Sequence, residues 1–304
     1  MSFPELSFAD VVQPPWNVAP RVRALVTTRD GGVSEPPFGR WHNGADQPGG
    51  LNLGMKSGDD LAAVAANRAR LLKLAGVSEA AWLDQVHGAG IVRAEDAVTY
   101  GQKSGQRSGQ PSAHGNAHAS GAPMQADASV TDRAGIACVV MVADCMPVLF
   151  CDEAGRAVGA AHAGWRGLAA GIVEQTARRV AELAGVEAGA LNAYLGPCIG
   201  PSSFEVGPDV RDAFIDGANV ANGAERDATA SAFVAHPRNE GKYLADLPAL
   251  ARLRLQRLGV TRIVGGDLCT VTQRERFYSY RRDRETGRMA ALIWLDDQAQ
   301  TLGD

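Results

Sequence analysis

Apolar side chains recur along the chain in two rhythms, and the changes between them mark out the elements. Short apolar runs at Arg23–Thr28, Trp82–Val86, Ile91–Ala94, Ile136–Val142, Met146–Cys151, Ala157–Ala161, Arg262–Gly265, Phe277–Arg281 and Met289–Leu295 read as strands bounded by Gly, Pro and Asp. The run Ile136–Val142 is apolar at successive positions, the mark of a strand buried on both faces. Three longer stretches carry the helical period instead. Asp59–Ala75 places Leu61, Val64, Ala65, Leu71, Leu72 and Ala75 on one face, with Ser57 and Asp59 available as caps. Leu168–Leu183 does the same with Ile172, Val173, Thr176, Val180 and Leu183, and Asp246–Leu258 with Leu247, Leu250, Leu253, Leu255 and Leu258. A short helix is expected over Pro208–Ile215, followed by an irregular polar segment to about Lys242. Arg68 falls on the inner stripe of the first helix, where an arginine either snorkels to the edge or is held for an anion.

Strands thus interleave with helices along a chain whose length suits one large domain or two ordinary ones. Residues 1–22, interrupted by Pro14, Pro15 and Pro20, read as an irregular lead-in, and 296–304 as a tail. Residues 99–125 hold almost no large apolar side chain and cannot offset their own ordering entropy, so a flexible loop is expected there. That loop divides the chain without dividing the domain, because strands on both sides of it are needed for one sheet. Its His114 and His118 read as solvated loop residues.

Composition narrows the function. The chain has 304 residues, 45% hydrophobic and 21% charged, as soluble globular proteins do. A net charge of −4 with no basic cluster points to a small-molecule partner and away from nucleic acid. There is no basic start followed by an apolar segment, and no apolar stretch approaches the ~20 residues of a membrane span. A cytoplasmic protein is therefore expected, with a monomer as the default. Five cysteines, odd in number and without a C-x-x-C pair, fit reduced thiols; Cys138 and Cys151, inside apolar runs, read as structural.

The candidate chemistry gathers at Ala143–Gly167, ADCMPVLFCDEAGRAVGAAHAGWRG. If Met146–Cys151 and Ala157–Ala161 form a hairpin, Cys145 and His162 meet at its open end. His87, at another strand end, is a third zinc-capable side chain, and three protein ligands with an open position is the arrangement of catalytic zinc. The spacing matches no local zinc motif, and Cys145 as a small buried hydrophobe is equally compatible with the pattern. Asp144 reads as a residue that orients a ligand or the turn and does not touch substrate. Gly164-Trp165-Arg166-Gly167 opens the next helix, whose free N–H groups make a seat for phosphate or carboxylate.

Several motifs then combine. Thr27-Thr28-Arg29 with Gly32-Val33-Ser34, Leu51-Asn52-Leu53-Gly54, Asn67-Arg68, Gln85-Val86-His87-Gly88, Ala126-Asp127-Ala128, Ala143-Asp144-Cys145-Met146-Pro147, His162-Ala163-Gly164-Trp165-Arg166-Gly167, Gly196-Pro197-Cys198-Ile199-Gly200, Phe204-Glu205-Val206-Gly207 and Ser279-Tyr280-Arg281-Arg282 follow one another in an order that resembles the laccase-domain, or YfiH-like, family. The likeness runs from about Arg23 to Leu295. It implies a single α/β/β/α sandwich with mixed sheets and a zinc site falling on His87, Cys145 and His162, which would also be the catalytic residues. It further implies phosphorolysis of adenosine, inosine, guanosine and S-methyl-5′-thioadenosine, and deamination of adenosine. Some members of the family are named polyphenol oxidases or laccases, and bacterial ones peptidoglycan editing factors. One departure is Lys56, where the family often carries a histidine.

The leading expectation is thus a zinc-dependent enzyme acting on purine nucleosides and phosphate, with Arg68, Asn52, Gly164 and Arg166 as candidates for binding substrate or phosphate. The alternatives are a copper-dependent phenol oxidase and a cell-wall precursor editing hydrolase in which Cys145 is the nucleophile.

Overall fold

The structure, a computed structural model, describes residues 3–107, 122–216 and 223–297. His114, His118 and the centre of the expected loop lie outside these residues.

Two sheets stack face to face. The first has five strands in the order Val11–Val12, Val22–Thr27, Met289–Leu295, Ile136–Val142, Glu79–Ala81; the last pairing is parallel and the others antiparallel. The second has six, in the order Arg262–Gly265, Leu191–Leu195, Met146–Asp152, Val158–Ala163, Ala128–Thr131, Ile91–Arg93, with parallel pairing only at its two edges. Val26, Cys138, Val140 and Ile293 of the first sheet meet Leu149, Cys151, Val158 and Ala160 of the second in the central core. Burial on both faces explains why Ile136–Val142 and Met146–Asp152 have no polar side to alternate with. Cys138 and Cys151 lie within this layer as packing residues, and burial pushes both thiols up to about 12.

Helices cover both outer faces. Leu61–Ala75 lays Leu71 and Ala75 on Leu25, Val139 and Leu292 of the five-stranded sheet. Ile172–Ala184 and Leu247–Arg257 lay Val173, Ala177, Val180, Leu250 and Leu255 on Val148, Phe150 and Ala193 of the six-stranded sheet. The result is the expected α/β/β/α arrangement with mixed sheets.

Several local expectations are corrected. The first helix is capped by Asp60, which accepts from the Ala62 N–H at 2.9 Å, while Asp59 is drawn away to Ser34 Oγ at 2.6 Å and Asn52 Nδ2 at 2.9 Å. Leu61, assigned to its inner face, is exposed. The stretch expected as one helix over Leu168–Leu183 is two, Trp165–Ala169 and Ile172–Ala184, broken where Gly171 takes φ 89°. Helix Ala94–Arg107 occupies the first nine residues of the stretch expected to be loop, anchored by apolar Ala94 and Ala97 in the central core. Phe277–Arg281 is not a strand: Phe277 and Tyr278 pack as a small buried cluster with Val142 and Met289, and the chain turns into the helix Tyr280–Asp283. The strand expected at Trp82–Val86 is displaced to Glu79–Ala81, leaving Asp84 with a single bridge to Gln125.

Candidate metal centre

The hairpin register places the first two candidate ligands. Met146 pairs with Ala163 and Pro147 with His162, so Cys145, one residue before the strand, arrives beside His162. Asp144 turns the chain there with φ 91°, a conformation that its environment must hold. Its carboxylate accepts from Thr270 Oγ1 and from the Arg281 N–H, both at 2.6 Å, and its carbonyl accepts from the Ile199 N–H at 2.9 Å. Asp144 therefore orients the turn, as its position in the sequence implied.

His87 reaches the same point from the segment after Glu79–Ala81, and it too has a positive φ, 61°. One carboxylate fixes this backbone. Asp127, fully buried at the start of strand Ala128–Thr131, accepts from the N–H groups of His87 at 2.8 Å, Gly88 at 2.7 Å and Val86 at 3.3 Å. The same group pairs with His162 Nδ1 at 2.9 Å, and the Asp127 carbonyl accepts from the His162 N–H at 2.7 Å. Asp127 thus positions both histidines, and by occupying Nδ1 it leaves His162 Nε2 as the ring nitrogen available to a ligand. Sequence reasoning quoted Asp127 within a motif but gave it no role; an acid opening an apolar strand run was the available signal.

The ligand atoms of His87, Cys145 and His162 all lie within 4.8 Å of one another, and the two imidazole rings are 4.8 Å apart at 74°. Burial raises the Cys145 thiol, but the charge and hydrogen bonds of His162, then those of His87, outweigh burial and bring it down to about 6. His162 moves the opposite way: burial disfavours its cation, yet Cys145 and Asp127 hold it up at about 9. A thiolate and an oriented imidazole, with a second imidazole beside them, form a donor set suited to a soft or borderline cation. Among the described residues, this trio is the one group of three or more His, Cys, Asp or Glu side chains placed to hold an ion. Gly164 admits the three: a Cβ there would lie 2.8 Å from Cys145 Sγ and 3.3 Å from His87 Cδ2.

The trio opens into a cavity of about 1090 Å³. Gly164, Arg166 and Arg68 line it, but Asn52 does not. Asn52 is fully buried; its amide nitrogen donates to Ser57 and Asp59, and its oxygen accepts from the N–H groups of Gly54 and Arg288. The Arg68 guanidinium lies over the Trp82 ring at 3.9 Å and donates from Nε to the Leu53 carbonyl at 2.9 Å. Desolvation lowers it to about 10, so it stays cationic at neutral pH. No carboxylate lies within ion-pair reach of it among the described residues, which favours the anion reading of this inward arginine over the snorkel. His42 is exposed, and His236 is paired with Glu205 away from the cavity.

These features have close counterparts. The family model described as multi-copper polyphenol oxidoreductase laccase matches residues 23–296. The chain belongs to this laccase family. A purine nucleoside phosphorylase of Pseudomonas aeruginosa is 44% identical over 93% of this chain and 98% of its own length, and the purine nucleoside phosphorylase YfiH of Escherichia coli is 42% identical over 94% and 98%. A solved structure, a protein of Neisseria meningitidis, superposes with TM-score 0.75 at 42% identity, covering 94% of this chain and 99% of its own. YlmD of Geobacillus stearothermophilus gives 0.75 at 29% identity, covering 97% and 99%. No helix among the described residues is long and apolar enough to cross a membrane.

Proposed function

We propose that the protein is a zinc-dependent purine nucleoside phosphorylase that also deaminates adenosine. The convergence of His87, Cys145 and His162 on a cavity lined by arginines that have no carboxylate partner among the described residues carries this reading. The names of the relatives support the phosphorylase part of it. His87, Cys145 and His162 would hold the ion, with Asp127 retaining the proton on His162 Nδ1. When bound, zinc supplies Lewis acidity, polarising a substrate heteroatom and allowing water to ionise near neutral pH.

The remaining work falls to the chain. Arg68 and Arg166 donate to phosphate oxygens and neutralise the charge of the nucleophile as it approaches the anomeric carbon. Gly164 leaves room beside Cys145 for the reacting atoms. Trp82, Met141, Trp165 and Phe204 form apolar walls suited to a purine and keep water from the reacting bond. The test is product identity from inosine and adenosine with and without phosphate: ribose 1-phosphate and free base are expected only with phosphate, and inosine from adenosine without it. Free ribose under both conditions overturns the phosphorylase.

The family's copper-oxidase name favours a second reading, a phenol oxidase. Multicopper oxidation needs several metal centres, and the His/Cys trio is one cluster. Stoichiometric copper after purification in copper-free medium, with rapid phenol turnover, would establish the oxidase instead.

A further inference from the structure

The turn that closes over the cavity is dense in positive charge. Residues 280–288 read Tyr-Arg-Arg-Asp-Arg-Glu-Thr-Gly-Arg. Arg282 is neutralised at once: its Nε donates to both Asp283 oxygens at 2.9 and 3.0 Å, and it also caps the carbonyls of Thr270, Val271 and Phe277. It does not line the cavity. Arg281, Arg284 and Arg288 do, and none has a carboxylate partner among the described residues. The arginine paired to a carboxylate lies off the cavity and the three without such a pair line it, with Cys145 and Asp144 the negative groups that act on Arg288, a distribution that suits an anionic ligand.

Arg284 adds a second observation. It sits at φ 62° and ψ −64°, at the centre of a γ-turn closed by the Glu285 N–H donating to the Asp283 carbonyl at 2.8 Å. This turn is strained for any residue with a Cβ, and glycine is its natural occupant. An arginine held there in spite of the strain points to a use for its side chain. Its guanidinium lies 5.7 Å from the half-exposed Tyr280 ring, and that of Arg288 lies 6.0 Å from the same ring. Arg288 is braced from behind, donating to the Thr286 and Gly287 carbonyls at 2.9 and 3.0 Å, so its planar group is already oriented.

We propose that Arg284 and Arg288, set about the Tyr280 ring, form a phosphoryl-binding subsite that takes the phosphate monoester of a nucleoside 5′-monophosphate. Arg68 and Arg166, which line the same cavity, are held on other rings, Trp82 and Trp165. In the phosphorylase reading those two serve the inorganic phosphate of the reaction, which leaves Arg284 and Arg288 for a phosphate carried by the ligand itself. The inference rests on the nucleoside reading for the base and sugar of the ligand, and on the arginines alone for its phosphate.

The test is calorimetric titration of the metal-loaded protein with inosine, inosine 5′-monophosphate and inorganic phosphate, comparing wild type with Arg284→Gly and Arg288→Gln. Arg284→Gly removes the charge while relaxing the turn, and metal content and melting temperature check that both variants fold. The monophosphate is expected to bind about tenfold or more tighter than inosine, and each variant to erase about tenfold of that preference. Equal affinity of the wild type for the two ligands overturns the subsite. Variants that weaken inorganic phosphate while leaving the preference intact overturn the monoester as its ligand and make the subsite one for free phosphate. Arginine-dependent monophosphate binding in a protein that fails to cleave inosine with phosphate keeps the subsite and rejects the phosphorylase.

Discussion

The two sides of the cavity are built on different principles. On the sheet side, His162, Cys145 and Asp127 stand at the ends of paired strands, where the register fixes each backbone and buried hydrogen bonds fix each side chain. On the loop side, Arg284 and Arg288 hang from a turn, held by carbonyls and an aromatic ring, with no carboxylate in ion-pair contact among the described residues. The first side is satisfied internally and suits the sub-ångström placement that metal chemistry demands. The second is left unsatisfied and suits a ligand that completes it. Damage to the sheet side should therefore abolish chemistry, whereas damage to the loop side should alter which ligands are chosen.

The largest effect expected is from Cys145→Ala. Loss of the thiolate should remove stoichiometric metal and lower turnover on the order of 10³-fold, since the metal is asked for several kcal/mol of barrier reduction. Metal analysis beside a melting curve separates lost ligation from lost folding. Phosphorolysis that persists in the variant breaks the metal reading and with it the contrast between the two sides. Gly164→Ala is a steric version of the same attack. Its methyl would meet Sγ at 2.8 Å with the fold otherwise untouched, so metal affinity should drop while the melting temperature changes little.

Asp127→Asn comes next, because it touches chemistry only through the histidines. An outer-shell partner of this kind is expected to be worth about 10- to 100-fold in metal affinity. It also has a pH signature. Burial raises the Asp127 carboxyl, but the His162 hydrogen bond and the Gly88 N–H outweigh burial, and the folded-state value is lower than the ordinary 3.8. A depressed carboxyl stabilises the fold above its unfolded value and loses that contribution as pH falls through the lower folded value. In metal-free protein, the stability gap between wild type and Asp127→Asn should be full above about pH 4 and should shrink as the solution is acidified below it. A gap constant from pH 2 to pH 7 means that the carboxylate is not what holds the histidines.

How much of this could be read from the sequence follows the same division. The hairpin was legible, because turn chemistry between two apolar runs sets the register, and the register brings Cys145 to His162. His87 followed from its residue type at the end of a segment. Asp127 was visible but mute: its role lies in accepting from a backbone 40 residues away, and nothing local announces that. Arg284 and Arg288 carry no local mark in the sequence, since what sets them apart is the cavity they line and the Tyr280 ring. Asn52 was a candidate for binding substrate or phosphate, yet its amide is spent inside its own loop and on the Arg288 backbone. The break at Gly171 escaped because one glycine within an apolar period is compatible with a continuous helix until packing decides.

Cysteine chemistry in the metal-free protein gives a milder test of the sheet side. With its thiol at about 6, Cys145 should be mostly thiolate at pH 7, whereas Cys138 and Cys151, at about 12 and sealed in the core, should be inert. Iodoacetamide followed by peptide mass mapping should label Cys145, with a rate that rises through about pH 6, and added zinc should protect it. Labelling unaffected by zinc would instead point to a free nucleophile, and so to the hydrolase.

The smallest effect belongs to Lys56, on the loop side. Lys56 lines the cavity, but its ammonium is mostly exposed and already paired with Asp84 at 2.5 Å. An exposed pair of this kind is worth less than about 1 kcal/mol, so Lys56→Ala should leave the melting temperature almost unchanged. It should also spare metal content, because the residue makes no contact with the trio or with Asp127. Its removal frees Asp84 to face the cavity as an unpaired anion, so any penalty should appear as weaker binding of phosphate-bearing ligands, and it should fade as salt screens the charge. A loss of metal on Lys56→Ala would mean that the loop side contributes to ligation after all, and the division between a fixed side and a selective side would no longer hold.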